Sequence, residues 1–214
     1  AMMEQQVKEV PYGVADFAKV IEQNLYYVDK TMFLPEIEKQ PRNLFFIRPR
    51  RFGKSIFLSM LYSYYDCKQK DKFQKLFGKL WIGKHPTPLQ GSYQILYLDF
   101  SQITGKIDIL EERFNAYLCI TLDGFIRTYS KYYTEEEVSL ILSKTEHADK
   151  LQLLFQAAKT HNYPLYLIIE RILRHHRAHP FLLLFAPSGD AWRECDCYPQ
   201  VPFPSVIPPA VIHI

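Results

Sequence analysis

The sequence predicts an α/β protein: a parallel sheet flanked by helices, incomplete, with an irregular C-terminal tail. Two observations carry this. Short apolar runs, "LFFIR" (44–48), "YQILYLDFS" (93–101) and "YPLYLIIE" (163–170), alternate with segments of helical spacing. Strand, helix, strand, helices, strand is the order of a parallel sheet covered on both faces, with residues 44–48, 94–99 and 164–169 expected as adjacent parallel strands. The composition agrees, with 48% hydrophobic and 15% aromatic residues in a chain of 214. That supports a packed core and argues against disorder.

Taken in order, residues 1–43 form an entry region. "ADFAKVIEQ" has helical spacing, "LYYVD" has the look of a short strand, and "KTMFLPEIEK" starts a second helix with Thr31 as a candidate N-cap. Residues 44–170 form the main, partial domain. "LFFIR" is bounded by Pro41 and Pro49 and predicts a buried strand. "SIFLSMLYSYYD" (55–66) sets Ile56, Met60 and Tyr64 on one stripe, widened by Phe57, Leu58 and Leu61 into the face of a core helix. Helical spacing continues over 71–83. After the 93–101 strand, residues 106–130 and 134–160 predict two long amphipathic regions, the second broken near His147. "YPLYLIIE" shows little alternation, as buried parallel strands do.

Residues 171–214 differ. They hold seven of the fourteen prolines and no lysine, although the first 170 residues hold sixteen. "QVPFPSVIPPAVIHI" suits neither a helix nor a central strand. The expectation is a loosely packed tail. An exposed sheet edge then remains beside "LYLIIE" unless the tail covers it.

The net charge of +3 is too small to imply a polyanion partner, so a nucleic-acid role requires a local patch. Cys67 and Cys119 read as small core residues. Cys195 and Cys197 form a C-x-C without a second pair, which disfavours zinc. No run of about 18 apolar residues suggests a membrane span. "AMMEQQVKEV" lacks the apolar core of a signal peptide, and the default location is the cytoplasm.

The chemistry concentrates in "FFIRPRRFGKSIFLSML" (45–61). A phosphate-binding loop needs backbone N–H groups converging on an anion at a helix N-terminus, a lysine for the terminal phosphates and a hydroxyl for the metal. Its usual spacing is G-x-x-x-x-G-K-[ST]. Residues 48–55 read R-P-R-R-F-G-K-S. Gly53, Lys54 and Ser55 fit, as does the context of strand, loop and helix, while Arg48 replaces the first glycine. The alternative is a basic connection with Gly53 as a turn residue and solvated arginines. A second apolar strand ending in an acid accompanies such loops and holds magnesium, usually through water. Glu170 stands in that place.

"PYGVADFAKVIEQNLYYVDKTMFLPEI", "FFIRPRRFGKSIFLSMLYSYYD" and "YQILYLDFS" together resemble the bacterial AAA-ATPase-like proteins, P-loop NTPases whose hallmark is R-P-R-R-F-G-K-S. The resemblance covers roughly residues 10–170. It implies a P-loop NTPase-like domain that binds ATP and Mg, usually followed by a PD-(D/E)XK nuclease-like domain. Carried over by residue, Lys54 contacts the β- and γ-phosphates, Ser55 binds magnesium, and Gly53 lets the backbone approach. Arg51 and Phe52 supply loop N–H groups. The block Tyr27, Val28, Asp29, Lys30 and Thr31 falls near the adenine by analogy, or is a strand-to-helix turn capped by Asp29 or Thr31. Asp99 either faces the site or caps the next turn. Arg48, Arg50 and Arg51 either complement phosphate charge or are solvated.

The chain departs from the family at one point. The resemblance leads one to expect "LIIDEYD" where this chain has "LIIERILR". An acid that polarises the attacking water is then replaced by Arg171, leaving Glu170 as the sole candidate catalytic and magnesium acid. One inserted base in codon 170 would account for this: with synonymous codons chosen as GAA CGA ATA CTA CGA C, removing the third base leaves GAC GAA TAC TAC GAC, which encodes Asp-Glu-Tyr-Tyr-Asp. The alternative is a natural short variant with an unusual tail.

Three functions follow, in order. The first is ATP binding through a degenerate P-loop, with hydrolysis weak or absent. The second is a nucleotide-independent interaction module, in effect a pseudo-ATPase, for which self-association is one partner candidate. The third is a nucleic-acid module using Arg48, Arg50, Arg51 and nearby lysines. That third reading requires basic residues clustered with exposed aromatics, whereas the aromatics fall on core stripes. Otherwise nucleic acid enters only through a nuclease-like domain outside this chain.

Overall fold

The computed structural model describes residues 8–40, 43–46, 53–103, 109–170, 182–185 and 210–212. The chain divides into two compact units, one of residues 1–39 with 50–92 and the other of residues 40–49 with 93–214.

In the first unit, α1 (Phe17–Glu22) starts at Asp16, whose carboxylate accepts the Lys19 N–H and so satisfies a first-turn donor. The stretch expected as a strand at "LYYVD" is unpaired extended chain, tied by the Tyr26 N–H to the Glu9 carbonyl at 2.7 Å. A 3₁₀ turn at Thr31–Phe33 leads into α2 (Leu34–Glu38), with proline at its start, where no N–H is needed. The helix predicted after the glycine-lysine-serine motif is α3 (Lys54–Tyr65). It buries Phe57, Leu58, Met60, Leu61, Tyr64 and Tyr65. Its Ser59 hydroxyl accepts the Phe17 N–H at 2.9 Å, which fixes α1 against it.

The helix expected over 71–83 is broken into a 3₁₀ turn at Cys67–Lys72, α4 (Phe73–Phe77) and α5 (Trp81–Lys84). Leu80 is extended between the last two. The first two amides of α5 leave the helical ladder and bond side chains instead. Trp81 donates to Asp29 Oδ2 at 2.7 Å, and Ile82 to Thr31 Oγ1 at 3.1 Å. Phe17, Tyr64, Phe73 and Phe77 form the aromatic centre of this unit.

The second unit holds a five-stranded sheet: β1 (Asn43–Phe46), β2 (Gln94–Asp99), β3 (Leu165–Glu170), β4 (Leu182–Phe185) and β5 (Ala210–Ile212), in the order β2-β3-β4-β1-β5. The β2/β3 pair is parallel, as expected of the sheet, and β1 also pairs in parallel with β5, a strand of the tail that the sequence did not predict. One expectation is corrected. The 44–48 strand is not adjacent to the 164–169 strand, because β4 lies between β3 and β1 and runs antiparallel to both. The described residues of the tail are all strand, and β4 covers the edge of β3 that the sequence left open. "LLLF" is apolar on both faces, as a central strand must be.

Three helices belong to this unit: α6 (Leu110–Thr128), α7 (Glu135–Ser143) and α8 (His147–Thr160). The break near His147 therefore falls where expected. Tyr117, midway along α6, and Tyr129, at its C-terminal end, close the outer edge of β2. The Ile95 N–H donates to the Tyr129 hydroxyl at 3.0 Å and the Asp99 N–H to the Tyr117 hydroxyl at 2.6 Å. Edge amides that would otherwise invite another strand are thus satisfied. A capping box between Thr134 and Glu137 starts α7.

Candidate nucleotide-binding site

The predicted site residues fall in three places. The first is the start of α3. Gly53 precedes the helix at φ +72°, ψ 26°, a left-handed conformation in which a side chain is strained. Lys54 and Ser55 are the first two helical residues, both half-buried. The helix closes on Gly53 through the Phe57 N–H and the Gly53 carbonyl at 3.1 Å, and no side chain caps it. The start of α3 thus carries the geometry that anion binding at a helix N-terminus uses: first-turn amides, a lysine and a hydroxyl. Arg48, Arg50, Arg51 and Phe52 lie outside the described residues.

The second place is the 27–31 block. Asp29 Oδ1 accepts the Thr31 N–H at 2.9 Å and the Thr31 hydroxyl at 2.7 Å, while Oδ2 accepts the Trp81 N–H. Both carboxylate oxygens are therefore engaged in closing a turn and starting α5. Thr31 is fully buried beneath them. Tyr27 packs edge-on against Phe17 at 5.2 Å. Burial, and then the Asp29 charge, push its hydroxyl above the usual tyrosine range.

The third place is the carboxyl end of the β2/β3 pair. In register, Asp99 stands opposite Glu170, so the two share a face, and Tyr97 joins them two residues back. Glu170 is 6% exposed, and the Tyr97 hydroxyl donates to its Oε2 at 2.6 Å. Burial first, and then this hydrogen bond and the carboxylate charge, raise the Tyr97 hydroxyl well above its ordinary value. Tyr97 therefore stays the donor. Asp99 Oδ1 accepts the Ser101 N–H at 2.9 Å, the turn-capping role weighed for it. Ligands of open α/β sheets bind outside the carboxyl ends of strands, where this acid pair sits. Among the described residues, no group of three or more His, Cys, Asp or Glu is placed to hold a metal ion. None of the described helices is long and apolar enough to cross a membrane.

Sequence reasoning missed Tyr97 and the tie from Asp29 and Thr31 to α5. Strand alternation contained the first, since Tyr97 lies two residues before Asp99. The second joins residues about fifty positions apart and has no local signature.

A mixed α/β arrangement with a small parallel pairing of strands flanked by helices is consistent with a P-loop NTPase-like fold. The family model described as "Predicted AAA-ATPase" (AAA-ATPase-like) matches residues 11–171, and the chain belongs to that family. It is also similar to an uncharacterized protein encoded in the vnfD 5' region of Azotobacter chroococcum mcd 1. That match is 49% identical over 55 residues, covering 25% of this chain and 11% of that protein. No solved structure matches.

Proposed function

We propose that this chain binds ATP with Mg through the loop at 48–55 and hydrolyses it weakly or not at all. One observation carries the reading: a left-handed Gly53 directly ahead of a twelve-residue helix that opens with Lys54 and Ser55. Bound there, the triphosphate would take the first-turn amides and the Lys54 ammonium, with Arg51 and Phe52 lending loop amides. Ser55 would ligate magnesium, and Glu170 is the candidate acid, in keeping with the family's chemistry. Magnesium supplies neutralisation of the phosphate charge. Turnover also needs a water held in line with the γ-phosphate, and the residue after Glu170 is Arg171, which cannot polarise water.

Calorimetry with ATP, with and without magnesium, tests this. Lys54→Ala should remove most of the affinity, and Ser55→Ala should reduce the magnesium dependence more than the bare affinity. Equal binding by the wild type and a folded Lys54→Ala chain would sink the reading. Steady phosphate release that disappears in Lys54→Ala would overturn the claim about hydrolysis. One observation favours the second reading, a nucleotide-independent module. The acids assigned to the site, Asp29 and Glu170, already hold internal hydrogen bonds. That reading predicts no ATP binding by any variant.

A further inference from the structure

Among the strongly exposed aromatic side chains of the first unit are Tyr12 at 98%, Tyr26 at 53% and Trp81 at 38% exposure. Backbone contacts gather them. The Tyr26 N–H bonds the Glu9 carbonyl at 2.7 Å, which brings it beside the 9–12 segment. The Trp81 N–H bonds Asp29 at 2.7 Å, which brings the start of α5 beside residues 26–31. Trp81 is also preorganised. The His85 ring stacks on it at 4.4 Å and 21°, and His85 Nδ1 lies 3.0 Å from the Trp81 carbonyl oxygen.

The charge of this region is positive. Residues 68–84 carry six lysines and one acid, Asp71. Lys75 is paired with Glu22 at 2.6 Å, and the Lys70 stem packs on Gly91, so these two contribute less. Lys79 and Lys84 are exposed and flank Trp81 along the chain. The criterion set for a nucleic-acid surface, lysines clustered with exposed aromatics, is thus met on α5 rather than on the arginines of 48–51. His85 covers one face of the indole, so bases meet the part of Trp81 that stays exposed together with the more open rings of Tyr12 and Tyr26. Stacking on such rings is what a base uses and what a lipid headgroup does not.

We infer that the surface formed by Tyr12, Tyr26 and Trp81 with Lys79 and Lys84 binds single-stranded nucleic acid, its bases stacking on the rings and its phosphates meeting the lysines. This stands apart from ATP binding and does not depend on it.

Fluorescence anisotropy with labelled oligo-dT and oligo-rU, about 12 nucleotides long, tests it on the full chain. Binding should weaken as salt rises, because lysine–phosphate contacts release counterions. Trp81→Ala should lower affinity roughly five- to hundredfold, as the loss of one stacking partner does. Lys84→Glu should lower it too, while Lys159→Glu, an equal charge change on exposed α8, should not. Tyr26→Ser, at an exposed position, provides a second stacking variant if Trp81→Ala misfolds by circular dichroism. A preference for either oligonucleotide would decide between DNA and RNA and support the inference. It would be overturned by no binding at low salt, or by wild-type affinity in folded Lys84→Glu and stacking variants. Equal binding of inorganic polyphosphate or phosphatidylserine vesicles would also overturn it, because neither carries bases.

Discussion

Lys150 is 1% exposed, and a buried ammonium persists only where its charge and donors are answered. Here it donates to Asp123 at 2.6 Å and to the carbonyls of Ile141 and Leu142 at 2.9 and 3.2 Å. It thus caps the end of α7 and holds α6 and α8 to it. Lys150→Met keeps the volume and removes the donors, leaving two carbonyls and a carboxylate without them. Stability should fall by about 2–4 kcal/mol, read as a lower urea midpoint with an unchanged slope. An unchanged midpoint would show that water replaces the ammonium. Asp29 is tested in the same way. Asp29→Asn keeps one acceptor and loses the charge, and should destabilise by about 1–2 kcal/mol whether or not nucleotide is present. A variant of full stability with lost ATP affinity would instead return Asp29 to a ligand-facing role. Of these two parts, only the turn-capping role of Asp29 was legible in the sequence. A lysine in a helical stretch reads as solvated, and Asp29 and Trp81 meet only through the fold.

Elements were legible where the local pattern and the tertiary partner agree. The runs at 94–99 and 165–170, the helix after Gly53 and the break before His147 all follow from periodicity and end signals. The 71–83 stretch has helical spacing but is interrupted, because distant acceptors on Asp29 and Thr31 take the amides that would have continued the helix. The start of α7 adds a pH-dependent contact. Burial pushes Glu137 up, but the Thr134 N–H and His161, at 2.9 Å from Oε2, outweigh it and hold the carboxyl below its ordinary value. A depressed carboxyl contributes stability above its unfolded value of 4.5 that is lost as pH falls through the folded one. Glu137→Gln should therefore be less stable than the wild type at neutral pH and converge with it as pH falls below 4.5 and through the depressed folded value. Parallel stability curves across that range would show that the charge plays no part.

At the scale of the whole molecule, β4 decides whether the tail belongs to the fold. Proline counting predicts a loose ending, and it passes over "LLLF", which lies between Pro180 and Pro187 and is apolar throughout. A short apolar run shows no alternation, so periodicity alone cannot flag it as a strand. In the sheet, Leu183 pairs with Ile169 of β3 on one side and Phe45 of β1 on the other. The second unit's sheet is continuous only through this strand. Leu183→Pro removes an amide from a central position, where no solvent can answer the acceptor left behind. It should lower stability by about 2–3 kcal/mol in urea unfolding of the full chain. It should also raise aggregation, since β3 and β1 would each regain an open edge. Leu183→Ala keeps the amide and so separates the backbone ladder from the side chain: it should not promote aggregation. If both variants unfold with the wild-type midpoint, the tail contributes nothing to the sheet and the loose ending read from its prolines is the right one.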